Sequence, residues 1–357
     1  MTSWTSPPSS SAERGAPAPP GPGPAGAPTR PAPAGPGLVW RPAPPGPPVA
    51  AAGAPPAALP ARPGPAVADA GAPPAALPST AAGSGAGPAG PDAGLGWPPV
   101  LVAEDLLGQG VVAAFSSRAG GLGRPPFQSL NLGLRVGDEV RTALANRRRL
   151  ATVLGLAGLP WATVRQVHSA TAVTAARDQL GHGPPEAKPA LAEADALVTA
   201  EAGLVLVVLT ADCVPVLLVD PAGRVTAAVH AGWRGLAAGV VEAAAAGFAG
   251  AGGDPAGACA VALIGPAIGP CCYEVGPEVR DAVAARYPVA AATTRAGRPS
   301  LDLAAATAEA LRRSGFERVQ TAGECTLDHP DRFFSYRREG TTGRQAGLVA
   351  LTPAGTP

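Results

Sequence analysis

Lysine is almost missing from this chain: Lys188 is the only one, and the other basic residues are arginines. Basic and acidic residues nearly cancel, 27 against 26, for a formal net charge of +1. A nucleic-acid-binding surface needs a basic excess, so none is expected. The preference for arginine reads as base composition of the gene and carries no functional message. Methionine occurs once, at Met1, and histidine four times, at His168, His182, His230 and His329. Cysteine is scarce and odd in number, five residues with Cys271 and Cys272 adjacent. That pattern argues against a disulfide framework and for reduced thiols. Long hydrophobic runs are absent too. The longest apolar stretch, Gly203 to Val219, is interrupted by Thr210, Asp212 and Pro215, which makes a poor membrane span. Met1 to Arg14 lacks the charged-then-apolar order of a secretory leader. These absences together predict a cytoplasmic protein with no membrane association, and no protein partner is implied.

What is present is unevenly spread. Of the 45 prolines, 28 lie in the first 100 residues, among alanine and glycine. Such a stretch has too little apolar surface to offset the entropy of ordering, so residues 1–95 are expected to be a disordered tail, partly polyproline II. The string AGAPPAALP occurs at Ala52–Pro60 and again at Ala70–Pro78. Two copies suggest slippage in a biased gene, not a solenoid, which needs three or more stacked units. From about residue 96 onward, Val, Leu and Ile runs alternate with Gly-rich turns, enough for one well-buried domain over 96–357.

Within that domain, strands are predicted at Val111–Phe115, Thr163–Val167, Asp195–Thr199, Leu204–Thr210, Val214–Asp220, Val225–Val229, Val261–Ile264 and Val319–Ala322. Helices are predicted over Asp138–Leu154, Leu236–Phe248, Glu278–Arg286 and Leu303–Gly315. Polar motifs fall at strand ends, where sites usually lie in such mixed folds.

His168, Cys213 and His230 each sit just past a predicted strand. A His2Cys set suits Zn2+ and leaves a fourth tetrahedral position open, the pattern of a catalytic site. The long gaps between the three also fit a catalytic site better than a structural one, which is usually held by close ligand pairs. On spacing alone a second reading stands beside it: two hydrogen-bonded core histidines and a buried thiol. Blue copper also uses His2Cys, usually with an axial Met. The single methionine lies in the tail, and four histidines cannot supply a multicopper cluster, so copper and laccase chemistry are disfavoured by counting.

Seven motifs then carry a specific resemblance. They are FSSRAGG (Phe115–Gly121), SLNLG (Ser129–Gly133), QVHS (Gln166–Ser169), TADCVPVLL (Thr210–Leu218), HAGWRG (His230–Gly235), IGPAIGPCCYEVG (Ile264–Gly276) and FFSYRREGTTGRQAGL (Phe333–Leu348). In this order they resemble the bacterial laccase-domain or multicopper polyphenol oxidase proteins, the YfiH-like family. Its members are described as purine nucleoside phosphorylases with adenosine deaminase activity, and one branch as the peptidoglycan editing factor. The resemblance implies an α+β fold, a single domain with sheets sandwiched between helices, in a superfamily that also holds toxin deamidases using a Cys–His pair. It implies zinc ligands at His168, Cys213 and His230, and purine nucleosides and inorganic phosphate as the molecules bound. The tail is the main departure from the family's pattern.

The implied chemistry assigns further candidates. Zinc base deaminases use a Glu from an HxE signature as proton shuttle. The chain has no HxE, so Asp212, beside Cys213, is the candidate; its plainer role is turning the chain and capping backbone N–H groups. Phosphorolysis needs bidentate donors for phosphate, which favours arginines in Gly-rich turns. Arg118, Arg234, Arg337 and Arg338 qualify, against the plainer reading of surface or loop-bracing residues. Asn131 is placed to bond a purine edge or ribose hydroxyl, or to make a turn. Cys271 with Cys272, and Cys325 with His329, are expected to serve packing or support: adjacent residues of an extended segment point apart, and Pro330 argues for a loop where a helix would align Cys325 with His329. His182 is expected in an exposed loop, and Trp233 is expected to anchor its turn by packing. Three other functions remain open: an amidase or deamidase with Cys213 as thiolate nucleophile and His230 or His168 as base, editing of a peptidoglycan precursor, and a metal-stabilised binding module recruited through the tail.

Overall fold

The computed structural model describes residues 38–41, 98–180 and 187–353. Both AGAPPAALP copies, His182 and most of the expected tail lie outside the described residues. One part of the tail does not. Leu38–Arg41 form a strand, β1, which pairs antiparallel with Val100–Ala103, β2. Leu-Val-Trp is a rare apolar triplet in that stretch, and its Leu38 and Trp40 pack against the core between the sheets.

Two six-stranded sheets stack face to face. The first adds β3 (Val111–Ser116), β4 (Trp161–Ala162), β7 (Val205–Thr210) and β14 (Gln345–Leu351), in the order β1-β2-β3-β14-β7-β4. The second comprises β5 (Ala172–Thr174), β6 (Ala196–Thr199), β8 (Val214–Asp220), β9 (Val225–Ala231), β10 (Val261–Ile264) and β13 (Val319–Thr321), in the order β13-β10-β8-β9-β6-β5. Short β11 (Ala291–Thr293) and β12 (Pro299–Leu301) make a separate ribbon. The helices are α1 (Glu104–Leu107), α2 (Val140–Val153), α3 (Trp233–Ala238), α4 (Val240–Gly250), α5 (Pro277–Ala284), α6 (Leu303–Arg313) and α7 (Tyr336–Glu339).

Three apolar clusters set the layering. Phe115, Leu206 and Val349 of the first sheet meet Leu217, Ala228 and Leu263 of the second in the middle. The outer face of the first sheet, with Val112, Val207 and Leu348, is covered by Leu150 and Ala151 of α2. The outer face of the second, with Val216, Val229 and Ile264, is covered by α3 to α6. The sheets are thus sandwiched between helices. Both faces of β8 and β14 are covered, so both read as continuous apolar runs and every residue in them is buried.

Most strands fall within a residue or two of their predicted bounds. Three differences matter. The helix expected over Leu236–Phe248 is two helices, because Gly239 at φ +92° breaks the chain between α3 and α4. No strand forms at Thr163–Val167, where the short β4 has already ended at Ala162, and β14, which joins β3 to β7, has no counterpart among the predicted strands. Among the described residues no helix is long and apolar enough to cross a membrane.

Candidate functional site

The chain passes from one sheet to the other at the turn between β7 and β8, and Cys213 sits in that turn. The passage needs an unusual backbone: Asp212 adopts φ +100°. Its side chain secures the turn, Oδ1 accepting from Thr326 Oγ1 at 2.6 Å and Oδ2 from the amide of Arg337 at 2.7 Å.

His230 lies within β9 rather than past its end, opposite Pro215 of β8. Strand alternation puts it on the inner face with Ala228, while Val229 and Ala231 face the helices. His168 comes from the loop between β4 and β5. Here the Gln166 amide replaces strand pairing: Nε2 donates to Leu209 O at 2.7 Å and Oε1 accepts from Leu209 N at 2.9 Å. That explains the short β4. His168 itself has φ +61°, the left-handed region that ordinary residues avoid and functional sites hold under constraint.

The constraint is Asp195, immediately before β6 and fully buried. It accepts the amides of Val167, His168 and Ser169 at 3.2, 3.0 and 2.6 Å, and the Ser169 hydroxyl at 2.9 Å. It also accepts from His230 Nδ1 at 2.8 Å. One carboxylate therefore fixes the His168 loop and orients His230, committing Nδ1 and turning Nε2 toward the other donors. Asp195 was legible only as the first residue of a predicted strand, because nothing in the local sequence says that two distant segments meet on it.

The donor atoms of His168, Cys213 and His230 lie within 4.8 Å of one another. His168 Nε2 is 3.8 Å from Cys213 Sγ, and the two imidazoles meet edge to face with centroids 4.9 Å apart. Burial alone would raise the Cys213 pKa, but the His230 charge and hydrogen bonds from both histidines outweigh it and bring the thiol down to about 6. Burial would lower His230, but Cys213 and Asp195 raise it to about 9. Burial would raise Asp195, and its bonds to His230 and Ser169 lower it to about 2. Thiolate and imidazolium thus stabilise each other, the electrostatics of a reactive thiolate. The backbone leaves room for an ion as well. A Cβ on Gly232 would lie 2.6 Å from His168 Cδ2 and 3.2 Å from Cys213 Sγ. Two imidazoles and one thiolate, with one imidazole backed by a carboxylate, fit a transition-metal site.

The three residues line a cavity of about 710 Å3, within the usual range for small-molecule sites. Gly133, Arg135, Val136, Gln166, Tyr336 and Arg344 are among its other walls. Burial pushes the Arg344 pKa down, and its Nη1 donates to the Thr342 and Gly343 carbonyls, both at 2.9 Å. Arg344 lay inside a motif quoted above, but proximity to the ligands was invisible without the sheet that places β14.

The other sequence candidates are elsewhere. Arg118 does not line this cavity: Nε donates to Gln128 O, Nη1 to Pro330 O and Glu339 Oε1, and its guanidinium stacks on Phe334. It braces three segments and borders a separate recess. Arg234 is exposed and stacks on Trp233, 4.4 Å from the ring centre. Trp233 packs against the helix-side core, as expected. Arg337 is exposed, lies over Tyr273 and donates to Glu274 O. Arg338 is used by the Thr326, Leu327 and Phe333 carbonyls and Glu339. Asn131 is buried; its Oδ1 accepts from the Gly133 and Arg344 amides, and its Nδ2 donates to Asp138. It therefore shapes the cavity wall from behind. Asp212 has both oxygens engaged as described and is not among the lining residues.

One expectation is corrected outright. Cys271 and Cys272 do not point apart. Their segment is a turn, with Cys272 N and Tyr273 N both donating to Gly269 O, so the alternation of an extended strand does not apply. Their sulfurs lie 3.1 Å apart and join Cys325 and Asp328 in a second convergent group. His329 is not part of it.

Comparison with known proteins agrees with this architecture. Residues 112–352 match the family model described as multi-copper polyphenol oxidoreductase laccase. A purine nucleoside phosphorylase of Streptomyces coelicolor is 46% identical over 237 residues, 66% of this chain and 94% of that protein. The purine nucleoside phosphorylase YfiH of Shigella flexneri is 39% identical over 255 residues, 71% of this chain and 98% of that protein. Among solved structures, YlmD from Geobacillus stearothermophilus superposes with a TM-score of 0.65 at 34% identity, over 71% of this chain and 96% of that one.

Proposed function

The chain belongs to the multi-copper polyphenol oxidoreductase laccase family, and from that premise we propose that it is a zinc-dependent purine nucleoside phosphorylase acting in the cytoplasm, with adenosine deaminase activity at the same site. The observation that carries this reading is the convergence of His168, Cys213 and His230 at a cavity whose walls include Arg135 and Arg344. Relatives at 46% and 39% identity are named purine nucleoside phosphorylases.

A pentosyl transfer breaks the C1′–N9 bond of the nucleoside and joins C1′ to a phosphate oxygen, while the purine leaves with a proton. His168, Cys213 and His230 would hold the zinc, which would supply a Lewis acid. The chain's own residues do the rest. Asp195 keeps His230 in the tautomer that presents Nε2. Arg344 and Arg135 supply positive charge for phosphate, with the bidentate geometry that guanidinium offers. Tyr336 and Val136 offer surface for the purine and ribose. Copper chemistry of the laccase type remains disfavoured by the histidine count.

A second reading is favoured by one observation. Asp195, His230 and Cys213 stand in series, with the thiol depressed to about 6, which is the order of an acid–base–nucleophile triad. A cysteine amidase or deamidase would use it, but a thiolate committed to a metal is unavailable for acyl transfer.

The deciding experiment follows free purine and inosine by chromatography when the full-length chain meets adenosine, inosine or methylthioadenosine, with and without phosphate. Zinc is counted in parallel, with His168→Ala and Cys213→Ala as controls. The proposal expects base release that depends on phosphate and vanishes with the metal in both variants. A metal-free chain whose activity is abolished by thiol alkylation would sink the zinc reading and favour a cysteine nucleophile instead.

A further inference from the structure

Away from the cavity, one other set of soft donors converges among the described residues. Cys271 and Cys272 belong to the turn that follows β10, and Cys325 and Asp328 to the segment that follows β13. One donor atom from each lies within 4.8 Å of the other three. The Cys271 and Cys272 sulfurs face the Asp328 carboxylate at 3.4 and 3.3 Å, and the Gly269 amide donates to Cys325 Sγ at 3.2 Å. We propose that Cys271, Cys272, Cys325 and Asp328 form a second metal site, a closed structural one that takes Zn2+.

The donor set is the first argument. Three thiolates and a carboxylate suit a borderline-soft divalent ion, and with four protein ligands no position is left for a substrate. Dimensions agree. Zinc–sulfur bonds of about 2.3 Å set the edges of the coordination tetrahedron at about 3.8 Å, and the donors here span 3.1 Å to at most 4.8 Å. The ligands also come as two close pairs, adjacent residues on one loop and residues three apart on the other. Close pairs are typical of structural zinc and are lacking at the cavity site; the Cys325–Asp328 spacing matches the usual one, and the adjacent cysteines are closer than usual.

Charge is the second argument. Three thiolates and a carboxylate would overbalance a divalent ion, and one cation already stands at the group. Arg295 donates through Nη1 and Nη2 to the two Asp328 oxygens at 2.8 and 2.5 Å, and its Nη1 lies 3.7 Å from Cys272 Sγ. On binding, the thiols release their protons to solvent and Arg295 stays as an outer partner of the carboxylate.

The position suggests what the ion would do. Ala267 bridges to Cys325, and Thr326 N donates to Ala267 O at 3.0 Å, so the two loops already run side by side. Thr326 then holds Asp212 through its hydroxyl. A metal joining the loops would staple the segment that fixes the Asp212–Cys213 turn, while taking no part in the reaction.

The full-length chain is loaded with Zn2+, freed of excess metal by gel filtration and analysed for zinc per chain. Cys213→Ala, Cys272→Ser and the double variant are treated identically. Two zincs in the parent, one in each single variant and none in the double variant are expected. In the Cys213→Ala background Zn2+ should raise the Tm by several degrees, a shift lost in the double variant. Asp328→Asn, which preserves volume, should weaken the second ion at least tenfold and leave the first in place. Equal zinc in the parent and Cys272→Ser, with no Tm response to Zn2+ in Cys213→Ala, would overturn the proposal. So would a Cys271–Cys272 disulfide found by peptide mass with no second ion. A single zinc lost in Cys272→Ser but retained in Cys213→Ala would support this site while removing the metal from the proposed nucleoside reaction.

Discussion

Five hydrogen bonds converge on the Asp195 carboxylate, from three amides, a hydroxyl and an imidazole. Replacing it by Asn turns one oxygen into an NH2 group facing backbone donors and removes the acceptor that fixes the His230 tautomer. Carboxylates behind metal-bound histidines are typically worth about 10–100-fold in affinity. Asp195→Asn is therefore expected to lower zinc affinity by about that factor, measured by competition with a chelator, while all three ligands remain. Gly232 offers a complementary test at the same scale. The added methyl of Gly232→Ala would meet His168 Cδ2 at 2.6 Å, closer than carbon contacts allow. Metal content at the cavity should fall sharply while circular dichroism stays that of the parent, because the clash falls on a side chain and not on the sheet.

Short elements in this protein are held by side chains more than by their own ladders. The α7 turn is one example: the Ser335 hydroxyl caps it, and Glu339 at its end binds Arg118, Arg338 and Thr342. Burial would raise the Glu339 pKa, but bonds from Thr342, Arg338 and Arg118 hold it below the ordinary glutamate range. Glu339→Gln should cost about 1.5–3 kcal/mol at neutral pH, as for hydrogen bonds to a charged group. A carboxyl with a lowered folded-state pKa contributes in full above its unfolded value and loses that contribution as the pH falls through the folded one. Urea unfolding of parent and variant should thus differ at pH 7, and the gap should begin to close only once the pH falls below the unfolded glutamate value of about 4.3. A gap that persists in acid would mean the glutamate acts by packing.

At the scale of the whole molecule, the first sheet is completed from far away in sequence. Trp40 Nε1 donates to Glu324 at 2.8 Å, its ring lies 5.9 Å from Phe333, and Arg41 pairs with Glu104. Without β1, the edge of β2 would expose unpaired amides and carbonyls, a template for association. A fragment starting at residue 96 should bind as much zinc as the full chain yet melt lower and form dimers or larger species in light scattering. Restoring residues 36–41 through a flexible linker should reverse both effects. If the fragment is as stable and monodisperse as the full chain, β1 contributes nothing beyond the contacts seen.

Sequence alone determined what depends on local pattern. Apolar runs placed the buried strands β7, β8, β9 and β10, and helical spacing placed α2 and α6, because burial periodicity is written residue by residue. The scarcity of histidine made His168 and His230 stand out beside Cys213. What tertiary structure decided was everything that needs two distant segments to meet. Gln166 replaces a ladder only because β7 runs beside it, and Asp195 serves two histidines only because β6 pairs with β9. Of the arginines chosen from Gly-rich turns, Arg118 and Arg338 tie segments together while Arg234 and Arg337 are exposed, since a turn's composition does not say which way it faces. Cys271 and Cys272 were misread because the alternation rule holds for extended chain, and a turn is an exception that only the surrounding fold imposes.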